Sequence, residues 1–241
     1  AGTEKYFEGS AKFRTPLNRV GCLATDHQGH LLAGDSSTRE VYRFDDAGKP
    51  TPLTAGGIGI PMGIAVRKNG EILVSDLELH CIWKVPAQGG APQRFATIPA
   101  PTGICLDGED RLWVVSRSKV PLRRVAPDGT ITDLIKDRAF SMPHEIVVDD
   151  DKTAFITDGY AKVIWKVVAD KPPEKLAEGQ PLVNPVGLAR DGDRLLVADS
   201  RAVRLIFADV GTTIAAGYSV GDQVAIGVPE VMDHYAASYQ D

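Results

Sequence analysis

Three cysteines in 241 residues leave one thiol over from any pairing, so a fully paired disulfide framework does not organise this chain. Cys22, Cys81 and Cys105 each lie inside a strand-like apolar run. Their spacing matches no zinc pattern, and they read as small buried hydrophobes. No apolar run approaches the roughly 18 residues that a membrane-spanning helix needs, so no membrane span is expected. Basic charge is also short: 27 lysines and arginines against 32 aspartates and glutamates give a net charge of −5. That balance argues against the clustered basic face of a nucleic-acid binder. Long helical periodicity is missing throughout. The chain has no G-x-S-x-G elbow, no H-E-x-x-H, no P-loop and no G-x-G-x-x-G behind a strand. Gly56-Gly57-Ile58-Gly59 is a loop with no helix after it, which removes the phosphate-cradle reading. No secretory signal is recognisable at Ala1.

What is present is a repeat. A short strand phrase ends at Asp35, Asp76, Ser116, Asp158 and Asp199, 40 to 42 residues apart. A second phrase keeps the same beat: Pro61-Met62-Gly63, Pro101-Thr102-Gly103, Pro143-His144-Glu145 and Pro185-Val186-Gly187. A fixed period of about 40 residues built from short strands predicts a repeat architecture of the propeller kind. The second unit shows the parts. Gly63–Val66 is an apolar strand, Lys68-Asn69-Gly70 a tight turn, Glu71–Asp76 a second strand, Cys81–Val85 a third and Gln93–Ile98 a fourth. Four antiparallel strands in that length make one blade.

The sequence thus predicts an all-β fold, a single six-bladed β-propeller of four-stranded antiparallel blades over residues 1–241. The blades fall near 16–54, 55–98, 99–135, 136–178 and 179–217. The remainder, 218–241 with 1–13, supplies an irregular last blade closed by an N-terminal strand at Lys5–Phe13. Closing the ring in this way removes free sheet edges. Gly211–Asp241 carries neither phrase.

These phrases resemble the NHL-repeat propellers and the related senescence-marker/gluconolactonase superfamily. Pro185-Val186-Gly187-Leu188-Ala189 with Leu195-Leu196-Val197-Ala198-Asp199-Ser200 is the nearest copy, and the likeness runs from Pro16 to Ala208. The resemblance implies a shared axial site where the loops entering strand one meet those leaving strand two. Aligned there are Gly21, Met62, Thr102, His144 and Val186. In gluconolactonase-like enzymes carboxylates and an amide hold a divalent cation such as calcium at such positions, and hard cations need several oxygens at once. Here the ring offers neither, only Thr102 and His144 as polar members; Glu8, Asn18 and Asn184 are nearby in sequence. The resemblance also reaches NHL-type lyases, which place histidines around the site and a tyrosine in an Asp-Gly-Tyr loop, as in Asp158-Gly159-Tyr160. Likeness to secreted bacterial propellers favours an extracytoplasmic setting.

His144 can act as base, metal ligand or hydrogen-bonded wall. With Glu145 and Tyr160 it forms the candidate catalytic group; Met62, Thr102, His144, Arg117, Asp158 and Tyr160 are the candidate ligand-binding residues. Arg117, standing in a blade whose aspartate is replaced by Ser116, can take a carboxylate or phosphate or remain a solvated loop charge. The recurring Asp35, Asp76 and Asp199 read as loop caps, one per blade. The favoured expectation is a propeller that binds a small molecule or peptide at the axial face, or serves as a scaffold for another protein. The alternative is a metal-dependent hydrolase, lactonase or lyase.

Overall fold

The computed structural model describes residues 17, 19–149, 152–168, 171–192 and 194–200, with further strands at 204–209, 217–220 and 223–226. Five sheets follow one another along the chain. The first holds β1 (Val20–Thr25), β2 (Leu31–Asp35), β3 (Glu40–Phe44) and β4 (Pro50–Pro52); the second holds β5 (Pro61–Val66), β6 (Ile72–Asp76), β7 (Cys81–Val85) and β8 (Gln93–Thr97). The third holds β9 (Pro101–Leu106), β10 (Leu112–Ser116), β11 (Leu122–Val125) and β12 (Ile131–Ile135). The fourth holds β13 (Pro143–Val148), β14 (Thr153–Asp158), β15 (Val163–Val168) and β16 (Glu174–Glu178). Each of these four is an antiparallel meander in sequence order. Their first strands β1, β5, β9 and β13, followed by β17 (Pro185–Asp191), pack successively against one another. First strands therefore line the centre and fourth strands form the rim: a β-propeller.

Alternation explains the stacking. Every residue of Ile72–Asp76 is buried, although successive side chains of a strand point to opposite faces. Ile72 and Val74 pack toward the first sheet with Leu32, Val41 and Ile64. Leu73 packs the other way, with Ile104, Leu112 and Val114 of the third. Similar layers join the third sheet to the fourth around Trp113, Val115, Ile146 and Ile156, and the fourth to the fifth around Phe155, Ile164, Leu195 and Val197. Each fully buried side chain contributes about 1.5–3 kcal/mol, so the second strand, buried on both faces, is the main source of cohesion in each blade. The rim strand β8 is mostly exposed, which is why its sequence tolerates Gln93 and Arg94.

The fifth sheet departs from the expected four antiparallel strands. β17, β18 (Arg194–Asp199) and β19 (Arg204–Asp209) form the usual antiparallel core. The fourth place is then taken by β21 (Gln223–Ile226), parallel to β19, with β20 (Gly217–Val220) outside it. The chain runs out to the edge first and the β20–β21 hairpin brings it back, and this second reversal makes the pairing parallel. Residues 217–226 thus extend the fifth sheet rather than begin a sixth. The expected closing strand at 5–13 lies outside the described residues.

Candidate functional site

The Pro-x-Gly phrase is a bulge. Pro61 pairs with Asp76 and Gly63 with Ser75, so Met62 is left without a ladder partner. The same interruption falls at Gly21, at Val186 and within Thr102–Gly103 and His144–Glu145. A bulge bends its strand and re-aims the extra residue. Each blade therefore presents one released position at the same level of the ring.

The strand-end aspartates hold these bulges in place. Asp76 is fully buried and accepts from the amides of Gly59 (2.7 Å) and Ile60 (3.1 Å) ahead of its own Pro61. It also accepts from Glu78, Leu79 and the Trp83 indole (2.8 Å). Burial pushes its carboxyl up, but the donated bonds outweigh burial and hold it below the usual carboxylate range. Asp158 repeats the arrangement with the Ser141, Met142 and Ala161 amides and the Trp165 indole, and Asp199 with Val183 and Asn184. Asp35 accepts from the Arg19 and Ser37 amides. Asp158, expected among ligand contacts, is fully buried with its oxygens turned to these loop donors.

The third blade breaks the pattern. Ser116 stands in the aspartate's place and Arg123 in the place held by Trp83 and Trp165. Arg123 Nη1 donates to Ser116 Oγ, Ser118 Oγ and the Val120 carbonyl (2.8 Å). The loop that follows carries Arg117 toward the fourth blade, where its Nη2 donates to His144 Nδ1 at 3.1 Å. Two residues 27 apart, each released by its own blade, meet on the axial face. Burial, and after it the Arg117 charge, pull the His144 imidazole down to about 4, against an opposing pull from Asp158. Burial alone lowers the Arg117 guanidinium, with no carboxylate contributing. Gly159 lies against this pair: a Cβ there would sit 3.1 Å from His144 Nε2 and 2.5 Å from Asn184 Oδ1. The Asn184 amide is tied to Ser200 Oγ at 2.6 Å.

The other expected site residues are placed less closely. Glu145 stands where Gly63, Gly103 and Gly187 stand in other blades, and its side chain lies over Gly103, with Oε1 accepting from the Ile146 amide at 3.1 Å. Burial pushes the Glu145 carboxyl up to about 8. Thr102 is fully buried, its hydroxyl directed to the Val115 and Pro143 carbonyls. Met62 is half-buried. Tyr160 is 79% exposed and projects to solvent, so the pair with His144 is Arg117, not the tyrosine. The three cysteines are free, Cys22 and Cys81 buried and Cys105 half-buried; burial pushes the Cys81 and Cys105 thiols up to about 11.

Two features escape sequence reasoning. Glu40, buried at the start of β3, accepts from Val41, Leu53, both donors of Thr54, and Gly56. Its only signal was a charged residue beginning an apolar strand. A cleft of about 500 Å³ opens among the turns of the first two blades, lined by Asp26, His27, Arg43, Lys68 and Asn69 among others. Among the described residues no group of three or more His, Cys, Asp or Glu is placed to hold a metal. No helix there is long and apolar enough to cross a membrane.

No family model matches the chain. Human E3 ubiquitin-protein ligase TRIM32 is 32% identical over 77 residues, 32% of this chain and 11% of that protein. Human NHL-repeat-containing protein 4 is 34% identical over 65 residues, 26% of this chain and 53% of that protein. The matched segments thus span about a tenth and about half the length of these relatives. Among solved structures, the nidogen/laminin complex includes a chain superposing with a TM-score of 0.73 at 20% identity, covering 87% of this chain and 85% of its own. A streptogramin B lyase superposes with a TM-score of 0.61 at 17% identity, covering 86% and 76%. At such identities the structural likeness shows fold alone. Repeat phrases, stacked antiparallel sheets and structural likeness agree that the chain is a β-propeller, and about a third of it is similar in sequence to NHL-repeat proteins.

Proposed function

We propose that this propeller is a binding module whose contact face is the loop cluster around Arg117 and His144, taking a small molecule, a peptide or a segment of another protein. The observation that carries this reading is the 3.1 Å contact between two polar side chains from different blades, on the face where every blade releases one residue. The fold supports both kinds of partner: neighbours include a chain from the nidogen/laminin complex and a lyase. The donor set does not fit a hard divalent cation. Such an ion wants several oxygens, whereas an imidazole whose Nδ1 is already taken by a guanidinium offers only repulsion beside it. The hydrolase reading therefore has less support here than the binding one.

The same reading takes the ring to be six-bladed. In support of it, among the described residues β17 and β1 do not pack on each other as the other neighbouring first strands do. A fragment and peptide screen by ligand-observed NMR tests the face. Ligands found with the wild type should lose binding in Arg117→Ala and in His144→Ala and keep it in the control Lys68→Ala, on the cleft between the first two blades. Equal binding in all four proteins sinks the assignment.

A further inference from the structure

Three segments of the axial face, 116–121, 136–142 and 159–162, run side by side at the third and fourth blades. Pairing of Ile135 with Leu122 sets the second beside the first. The Met142 carbonyl accepts from the Gly159 amide at 3.1 Å, which sets the second beside the third. Phe140 is buried and packs on Trp165 with ring centroids 5.6 Å apart, which holds the middle segment down. Together the segments carry Arg117, Lys119, Lys136, Arg138 and Lys162 against a single carboxylate, Asp137, in a chain whose net charge is −5. Lys119, Lys136, Arg138 and Lys162 are exposed, and among the described residues none of them forms an ion pair. At the turns between first and second strands, by contrast, Arg67, Arg111 and Lys152 meet Asp110, Asp107 and Glu109. The same segments hold two exposed apolar side chains, Met142 at 40% and Tyr160 at 79%. An uncovered aromatic beside a flexible thioether is the kind of anchor that interfaces favour, and cations left without carboxylates of their own attract an acidic partner.

We propose that this corner of the axial face docks an acidic peptide segment of another protein, with carboxylates set against Lys119, Lys136, Arg138 and Lys162 and one apolar side chain seated on Met142 and Tyr160. The inference rests on the axial face being the binding face and names the class of partner that the face takes. Charge complementarity selects the partner: a nucleic acid would bring its phosphates to a chain of net charge −5 along its whole length, whereas a short acidic segment meets only the local excess of cations. Such a segment also supplies an aliphatic or aromatic side chain for the apolar pair. The cations lie at the rim of the contact, where they steer association and set its salt dependence, and the Met142–Tyr160 pair supplies the buried anchor.

The probe is a displayed library of random peptides selected on the wild-type chain, with selected peptides then labelled and titrated by fluorescence anisotropy. We expect the enriched sequences to carry aspartate and glutamate around an aliphatic or aromatic residue, and their affinity to fall as salt rises. Affinity should weaken about tenfold or more in the double variant Lys119→Glu with Arg138→Glu, and likewise in Tyr160→Ala. Lys49→Glu, at the turn between β3 and β4, should leave it unchanged. All four substituted side chains are exposed, and a melting curve for each variant confirms that it folds. Failure to enrich any peptide, enrichment of neutral or basic ones, or equal binding to the charge-reversed protein overturns the proposal. So does a labelled single-stranded RNA that displaces the acidic peptides, since the cations would then serve phosphates. Neutral ligands that are lost in Arg117→Ala would remove this proposal and leave the wider reading standing. Acidic peptides lost in the double variant but indifferent to Arg117→Ala and His144→Ala would support the docking and move the contact off that pair.

Discussion

Glu145 is the residue at which this ring differs most from its own repeat. Three other first strands carry glycine there, and Gly103 is required opposite it: an added Cβ would lie 2.6 Å from Glu145 Cα and from the His144 carbonyl, both backbone. Gly103→Ala should therefore cost about 2–3 kcal/mol by overpacking, read from urea denaturation, and should disturb the His144 nitrogen shifts. The carboxyl itself gives a pH signature. Its value rises from 4.5 unfolded to about 8 folded, so the folded state binds more protons in that window, and stability falls as pH rises through it. Glu145→Gln keeps an oxygen for the Ile146 amide and removes this loss. The variant should melt above the wild type at pH 9 while the two stay close at pH 4.5, and parallel melting curves would refute the assignment. His144 has the opposite sign. Its value falls from 6.5 to about 4, so its contribution is complete above pH 6.5 and is lost as pH drops toward 4.

At the scale of the element, the blade is held by one buried carboxylate acting on two loops at once. Asp76→Ala would unpair four backbone amides and the Trp83 indole. A loss of about 3–5 kcal/mol is expected from breaking a buried network of this kind. Hydrogen exchange should show the Gly59 and Ile60 amides losing protection first; a uniform loss across the blade would argue against a local latch. Hydroxyls stitch neighbouring blades at the bulges: Ser75 Oγ donates to the Thr102 carbonyl, Thr102 to Pro143 and Thr157 to Val186. Where the second strand offers Val115 instead of a hydroxyl, Thr102 on the first strand takes over the bond. The capping role of the aspartates was legible from their period. The hydroxyl stitches were not, because the position that carries Ser75 and Thr157, just before the strand-end aspartate, is Val115 in the third blade, where Thr102 on a different strand makes the bond.

For the whole molecule, stability should depend on how the ring is closed. If residues 1–13 complete a sixth blade, their removal uncovers sheet edges and breaks cooperativity between first and last blades. Deleting them should lower the melting temperature by several degrees and promote self-association in light scattering. An unchanged melt would sink the six-bladed reading. The order and spacing of the first four blades follow directly from the sequence, since each strand buries alternate residues against a different neighbour and each turn carries its own chemistry. The segment beyond Asp209 has neither phrase, and its parallel strand comes from a double reversal that no local pattern encodes.

Local physics was written in the chain: strand alternation, turn residues and a carboxylate at each strand end suffice to specify a blade and its repetition. The partnership of Arg117 with His144 was decided only in three dimensions. Each is positioned by a bulge or loop of its own blade, but the 3.1 Å between them is set by how two sheets stack, a long-range packing distance that no spacing in the sequence records.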